Sequence, residues 1–185
     1  MFALSLNLTK SYFPQNFKKL APTIDITPTA DEYGTVTITV TVTDDGAGTL
    51  SVVDTFDLVI NPINDAPVIT FPGGQTIDED VQTGITGLSI VDVDADDGAG
   101  LSVVLGVSNG TLNVTSAGTP TIGGNNTGTI TISGDVGSVS ATISSLLYTS
   151  NADFNGADTL TIDADDLGNS GAGGSLTDSE TVSIT

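Results

Sequence analysis

Five stretches of this chain place an apolar residue at every second position. They are Phe2, Leu4, Leu6 and Leu8; Val36, Ile38, Val40 and Val42; Phe56, Leu58 and Ile60; Leu101, Val103, Leu105 and Val107; and Leu160, Ile162 and Ala164. A period of two puts such residues on one face of a pleated strand, with the threonines, serines and aspartates between them on the other. Gly, Asn and Asp punctuate the stretches, so the pattern predicts antiparallel sheets with one buried face. Only Val136, Val139, Ile143 and Leu146 carry helical spacing, and they predict one short helix opened by Asp135. Asn125 and Asn126 beside Gly123 and Gly124 read as a hairpin turn.

The chain also repeats itself. Residues 27–44, T-P-T-A-D-E-Y-G-T-V-T-I-T-V-T-V-T-D, lie over 149–166, T-S-N-A-D-F-N-G-A-D-T-L-T-I-D-A-D-D, at an offset of 122. Asp31 then matches Asp153, Gly34 matches Gly156 and Asp44 matches Asp166. After a loop four residues longer in the second copy, 50–58 matches 176–184. A weaker match sets residues 4–10 over 103–109. This organisation predicts a partial module at 1–61, a linker at 62–67 and a complete module at 68–185. The prolines of the linker, Pro62 and Pro67, stop a sheet from running through it.

Composition narrows the function. Of 26 charged residues 23 are acidic, and the net charge of −20 opposes binding to a phosphate backbone, so nucleic acid is not an expected partner. The same charge makes the folded chain repel itself unless cations bind, and calcium, with its preference for six to eight oxygen ligands, suits an Asp-rich surface. No His or Cys exists for base or nucleophile work, the only bases are Lys10, Lys18 and Lys19, and Trp is absent, so no enzyme is expected. No run of about 18 apolar residues is present to insert in a bilayer, and the first residues do not read as a signal peptide. D-V-D-A-D-D-G at 92–98 is not an EF-hand loop, because Val103 stands where the twelfth-position Glu belongs.

The motifs N-D-A-P-V, I-D-E-D, V-D-V-D, Y-T-S-N-A-D-F-N-G-A-D-T-L-T-I and D-D-L-G, taken in this order, resemble the cadherin-like repeats of large bacterial surface adhesins. The resemblance implies an all-β chain of tandem Greek-key β-sandwich repeats of the immunoglobulin class, the first incomplete at its N-terminal side. It also implies Ca2+ at the junction between repeats, held by Asp31, Asn61, Asn64, Asp65, Asp92, Asp94 and Asp166. Glu79 and Asp153 would face a further junction at the opposite end. In the linker, N-P-I-N-D has asparagines where vertebrate cadherins place acids. The function implied is an extracellular, cell-surface structural or adhesion repeat stiffened by calcium, with neighbouring repeats, copies of itself, or a cell-surface protein or glycan as partners. The alternative is a self-assembling filament subunit whose incomplete first domain is completed by a strand from a neighbouring chain.

Overall fold

The computed structural model describes residues 3–10, 25–44, 50–94, 100–168 and 171–185; for 3–10 and 44 the backbone alone is described. Phe2, Lys18, Lys19 and the loop at 95–99 lie outside the described residues. The chain is mostly β, with several antiparallel sheets and one short helix. It divides into two compact units, Met1–Pro62 and Ile63–Thr185. Ile63 and Asn64, which the sequence assigns to the linker, belong to the second unit, because Ile63 bridges Ala172 in parallel and the Asn64 N–H donates to Ala172 O at 3.0 Å.

The first unit is a three-stranded sheet of β1 (Ala3–Lys10), β2 (Gly34–Asp44) and β3 (Ser51–Ile60), with β2 in the centre. The β2–β3 pair is antiparallel, with Val36 opposite Leu58, Ile38 opposite Phe56 and Val42 opposite Val52, so the alternating apolar residues of both strands share a face. β1 departs from the expected arrangement: it runs parallel to β2, with Leu4 beside Ile38 and Leu6 beside Val40. Alternation looks the same read in either direction, so it fixes which residues share a face and leaves strand direction open. Parallel neighbours need a crossover of about a dozen residues or more, and the interval from 11 to 33 is long enough.

The second unit is built on a five-stranded sheet in the order β13 (Thr177–Ile184), β12 (Asp158–Asp165), β7 (Gly100–Gly106), β10 (Thr129–Asp135), β9 (Thr121–Gly123). Two small sheets accompany it: β4 (Val68–Thr70) with β6 (Ser89–Val91), and β5 (Thr83–Gly84), β11 (Leu147–Ser150), β8 (Gly110–Asn113). The ladders between its named strands are all antiparallel. Leu101, Val103 and Leu105 of β7, Ile130 and Ile132 of β10, and Leu160, Ile162 and Ala164 of β12 enter one core with Ile69, Ile90, Leu112 and Tyr148. Helix α1, Val136–Ile143, closes that core through Val139 and Ile143, and the Asp135 side chain caps it by accepting from Ser138 N at 2.8 Å. Leu146 is buried one turn beyond the helix rather than on it.

The internal repeat is visible in strand register. Shifting β2 by 122 residues and β3 by 126 turns the pair Val36–Leu58 into Asp158–Ile184 and the pair Thr43–Ser51 into Asp165–Thr177, and both are the pairs found between β12 and β13. Asp31 and its counterpart Asp153 also share left-handed backbone, with φ of 62° and 57°, a conformation Asp tolerates better than most residues.

Candidate functional site

One end of the second unit gathers acidic side chains from three places: the entering chain at Asn64 and Asp65, the segment after β6 at Asp92 and Asp94, and the end of β12 at Asp166. Each is placed by a local device. The Asp92 Oδ1 accepts from Asp94 N at 2.9 Å, a turn closed by the aspartate itself. The Asp94 Oδ2 reaches across to accept from Asp65 N at 2.6 Å, tying this turn to the entering chain. Asp166 is buried, and its Oδ1 accepts from Gly168 N and Leu176 N, each at 2.8 Å, which folds the glycine-rich loop back on itself. Asn64, also buried, donates from Nδ2 to Asp166 Oδ2 at 2.5 Å and to Gly174 O at 3.0 Å.

That loop approaches Asn64 too closely for any side chain. At Gly171, with φ of 72°, a Cβ would lie 2.6 Å from both Asn64 N and Ile63 C. Asp165 holds the other side of the loop, accepting from Leu167 N at 2.7 Å and Ser175 Oγ at 2.6 Å, and these bonds keep its carboxyl below the ordinary value. Asp178 fixes the start of β4 by accepting from Ile69 N at 2.8 Å.

The electrostatics follow from this crowding. Partial burial raises the Asp92 carboxyl above its ordinary value; Asp94, Asp166 and Asp65 push in the same direction, against the one hydrogen bond from Asp94 N. Three further carboxylates act on Asp92, and no basic side chain exists anywhere in residues 20–185, so this end of the unit has a negative potential. The donor set is carboxylate and amide oxygen throughout, which suits a hard divalent cation such as calcium. Among the described residues no three acidic groups stand close enough to share one ion. Several oxygens in this cluster are already engaged with N–H groups, so an arriving cation would have to redirect carboxylates.

Of the seven residues expected at one junction, the structure brings five together: Asn64, Asp65, Asp92, Asp94 and Asp166. Asp31 and Asn61 lie in the first unit, both exposed. Glu79 and Asp153 are at the far end of β12 from Asp166, a separation of roughly 23 Å for eight strand residues. There Glu79 lines a shallow cleft with Tyr148, Phe154 and Thr185, and Asp153 N donates to Asp80 Oδ1 at 3.3 Å. Both are exposed.

Three polar residues have roles that sequence reasoning missed. Asp158, buried between Tyr148 and the 108–109 turn, accepts from Asn109 N at 2.8 Å, Thr159 N at 2.8 Å, Ser108 N at 3.2 Å and the Tyr148 hydroxyl at 3.1 Å. Burial alone would raise its carboxyl; the four hydrogen bonds outweigh burial and hold it low, while the Tyr148 phenol, desolvated beside that carboxylate, is pushed up to about 12. The signal available was the position of Asp158 itself, an acid on the apolar side of a strand whose next inward residues are Leu160 and Ile162. Asn125 does more than turn: its side chain accepts from Val114 N at 2.9 Å and donates to Val114 O at 3.0 Å, pinning the end of β8. The third is Asp178, described above. No protein-family model matches this chain, and no curated protein matches it.

Proposed function

We propose that this chain is a structural and adhesive repeat segment, exposed at a cell surface, in which Ca2+ stiffens the end where one β unit follows another. The observation that carries the reading is the gathering of Asp65, Asp92, Asp94 and Asp166 from three separated segments around the point where the chain enters the second unit. Holding those carboxylates together without a cation is unfavourable by about 1 kcal/mol for each close pair in water, and a bound divalent ion reverses the sign of that term. The arrangement of tandem Greek-key sandwiches in the resemblance fits the repeated hairpin and its matched register. The absence of His and Cys from the sequence, together with few aromatic side chains, favours a load-bearing role over catalysis. Asp65, Asp92, Asp94 and the Asn64 and Asp166 oxygens are the residues that would hold the ion. Glu79 and Asp153 would serve a second site at the far end.

Calorimetric unfolding with calcium and with a chelator tests this. At a calcium concentration about 100 times the dissociation constant, the ion adds about 2.7 kcal/mol, a rise of about 10 °C in the midpoint for a unit of this size. The double variant Asp92→Asn, Asp94→Asn is expected to lose most of that rise. An unchanged midpoint in the unaltered protein sinks the reading.

A further inference from the structure

Among the described residues nothing pairs with the outer edge of β3. The face it shares with β2 carries a groove of about 360 Å³ lined by Ile26, Val36, Ile38 and Ile60, with Asp25 and Glu32 at its rim. The segment 25–29 beside the groove belongs to no strand. Both features are filled on the equivalent hairpin of the second unit. Gln75–Ile77 lies along β13 in parallel: Gln75 N donates to Ser183 O at 2.8 Å, Thr185 N donates to Gln75 O at 2.9 Å, and Ile77 N donates to Thr185 O at 2.9 Å. The Ile77 side chain packs against the core and borders the same cleft as Tyr148 and Ile184. By the register match, the counterparts of Ser183 and Thr185 are Asp57 and Val59, and those of Tyr148 and Ile184 are Ile26 and Leu58.

We propose that the first unit is a docking site for an extended segment of another polypeptide chain, laid parallel to β3, bonded to the backbone of Asp57 and Val59, with one aliphatic side chain seated in the groove. This is strand addition, in which the backbone ladder supplies affinity and the pocket supplies selection. The acids at the rim and the net charge of −20 select a neutral or basic segment. The matching segment of a second copy does not meet that description: Gln75–Ile77 is engaged with β13, and the Asp78 and Glu79 that follow would meet Asp25 and Glu32. The inference stands apart from the calcium reading, and its test is run with a chelator present.

The probe is a blocked peptide of residues Phe71–Ile77 followed by one lysine, titrated into the full chain and followed by amide chemical shifts. Saturable shifts at 25–29 and 56–60, with a dissociation constant of about 1 mM, are expected. Exchanging the peptide's isoleucine for aspartate is expected to weaken binding at least tenfold, and exchanging the lysine for Asp-Glu to weaken it severalfold. On the protein, Val59→Pro removes the N–H that bonds the segment and is expected to abolish binding; if that variant loses the β2 amide signals, Ile26→Arg, which fills the groove mouth, makes the same reading. Shifts confined to 177–185, binding that ignores the isoleucine, or no saturation overturns the proposal. So does self-association of the chain alone by light scattering together with concentration-dependent amide shifts at 56–60, since the occupant would then be a second copy.

Discussion

The β2–β3 and β12–β13 hairpins are one sequence pattern in two settings. Their registers superimpose residue for residue, yet their apolar faces meet different fates. In the second unit Leu160, Ile162, Val182 and Ile184 are all buried, because they join one core with residues of the small sheets and the rest of the unit. In the first, Val36 and Ile38 are buried, while Val42, Val52 and Phe56 are about half exposed or more, at 47%, 72% and 50%. A pattern of alternation thus specifies a face to be covered, and the elements around it decide whether it is. The inner end of each hairpin differs in kind as well. Tyr148 and Asp158 form a buried polar pair in one, and their counterparts Ile26 and Val36 border an apolar groove in the other. The two solutions are each self-consistent: a buried carboxylate needs its donors, which the 108–109 turn supplies in the second unit, and at the equivalent positions of the first unit an aliphatic pair stands instead.

Breaking the polar solution is expected to have the largest effect. Asp158→Ala leaves the N–H groups of Ser108, Asn109 and Thr159 without their acceptor and is expected to destabilise the second unit by about 4 kcal/mol, read by denaturant unfolding. The Asp158 carboxyl is held below its ordinary value of 3.8, so its contribution is present above pH 3.8 and is lost as pH falls through the lower folded value. The gap between the unaltered protein and Asp158→Asn is therefore expected to close at low pH; a gap of constant size contradicts the assignment. Tyr148 acts at the other limb: its raised pKa gives stability that is full below 10 and lost as pH rises through about 12, and Tyr148→Phe is expected to remove that alkaline dependence.

Gly171→Ala places a Cβ against Asn64 N and Ile63 C in left-handed backbone and is expected to cost about 2–3 kcal/mol, with amide exchange accelerated at Asn64 and Leu176. Truncating equivalent positions of the two hairpins sharpens the contrast directly. Val182→Ala, at a fully covered site, is expected to lose about 2 kcal/mol. Phe56→Ala, its counterpart, is expected to lose less than about 1 kcal/mol despite deleting a larger side chain. Equal losses would mean that the two faces are covered alike.

Much of this fold was legible in the sequence. Alternation located β2, β3, β7 and β12, the spacing of Val136, Val139 and Ile143 behind Asp135 located the helix, and the repeat carried the register of one hairpin onto the other. The five acids and amides of the candidate site were named from motifs before their geometry was known. What escaped were side chains whose partners lie far along the chain. The bonds of Asn64 to Asp166 and Gly174, more than 100 residues away, are an example. Asp178 was invisible because an acid on a strand looks the same whether it meets water or a distant backbone N–H group, and the one sign at Asp158 was its place on the apolar side of β12. β1 pairs with β2 in parallel, where the alternating pattern predicts antiparallel sheets.

The sequence by itself determined which residues share a face, where strands turn, and which segments are copies, because these follow from periods of two and from the backbone tolerance of Gly, Asn and Asp. Only the tertiary structure decided strand direction at β1, which of two identical faces is covered, and which acids become buried acceptors. Those outcomes depend on what arrives from distant segments, and local periodicity carries no record of it.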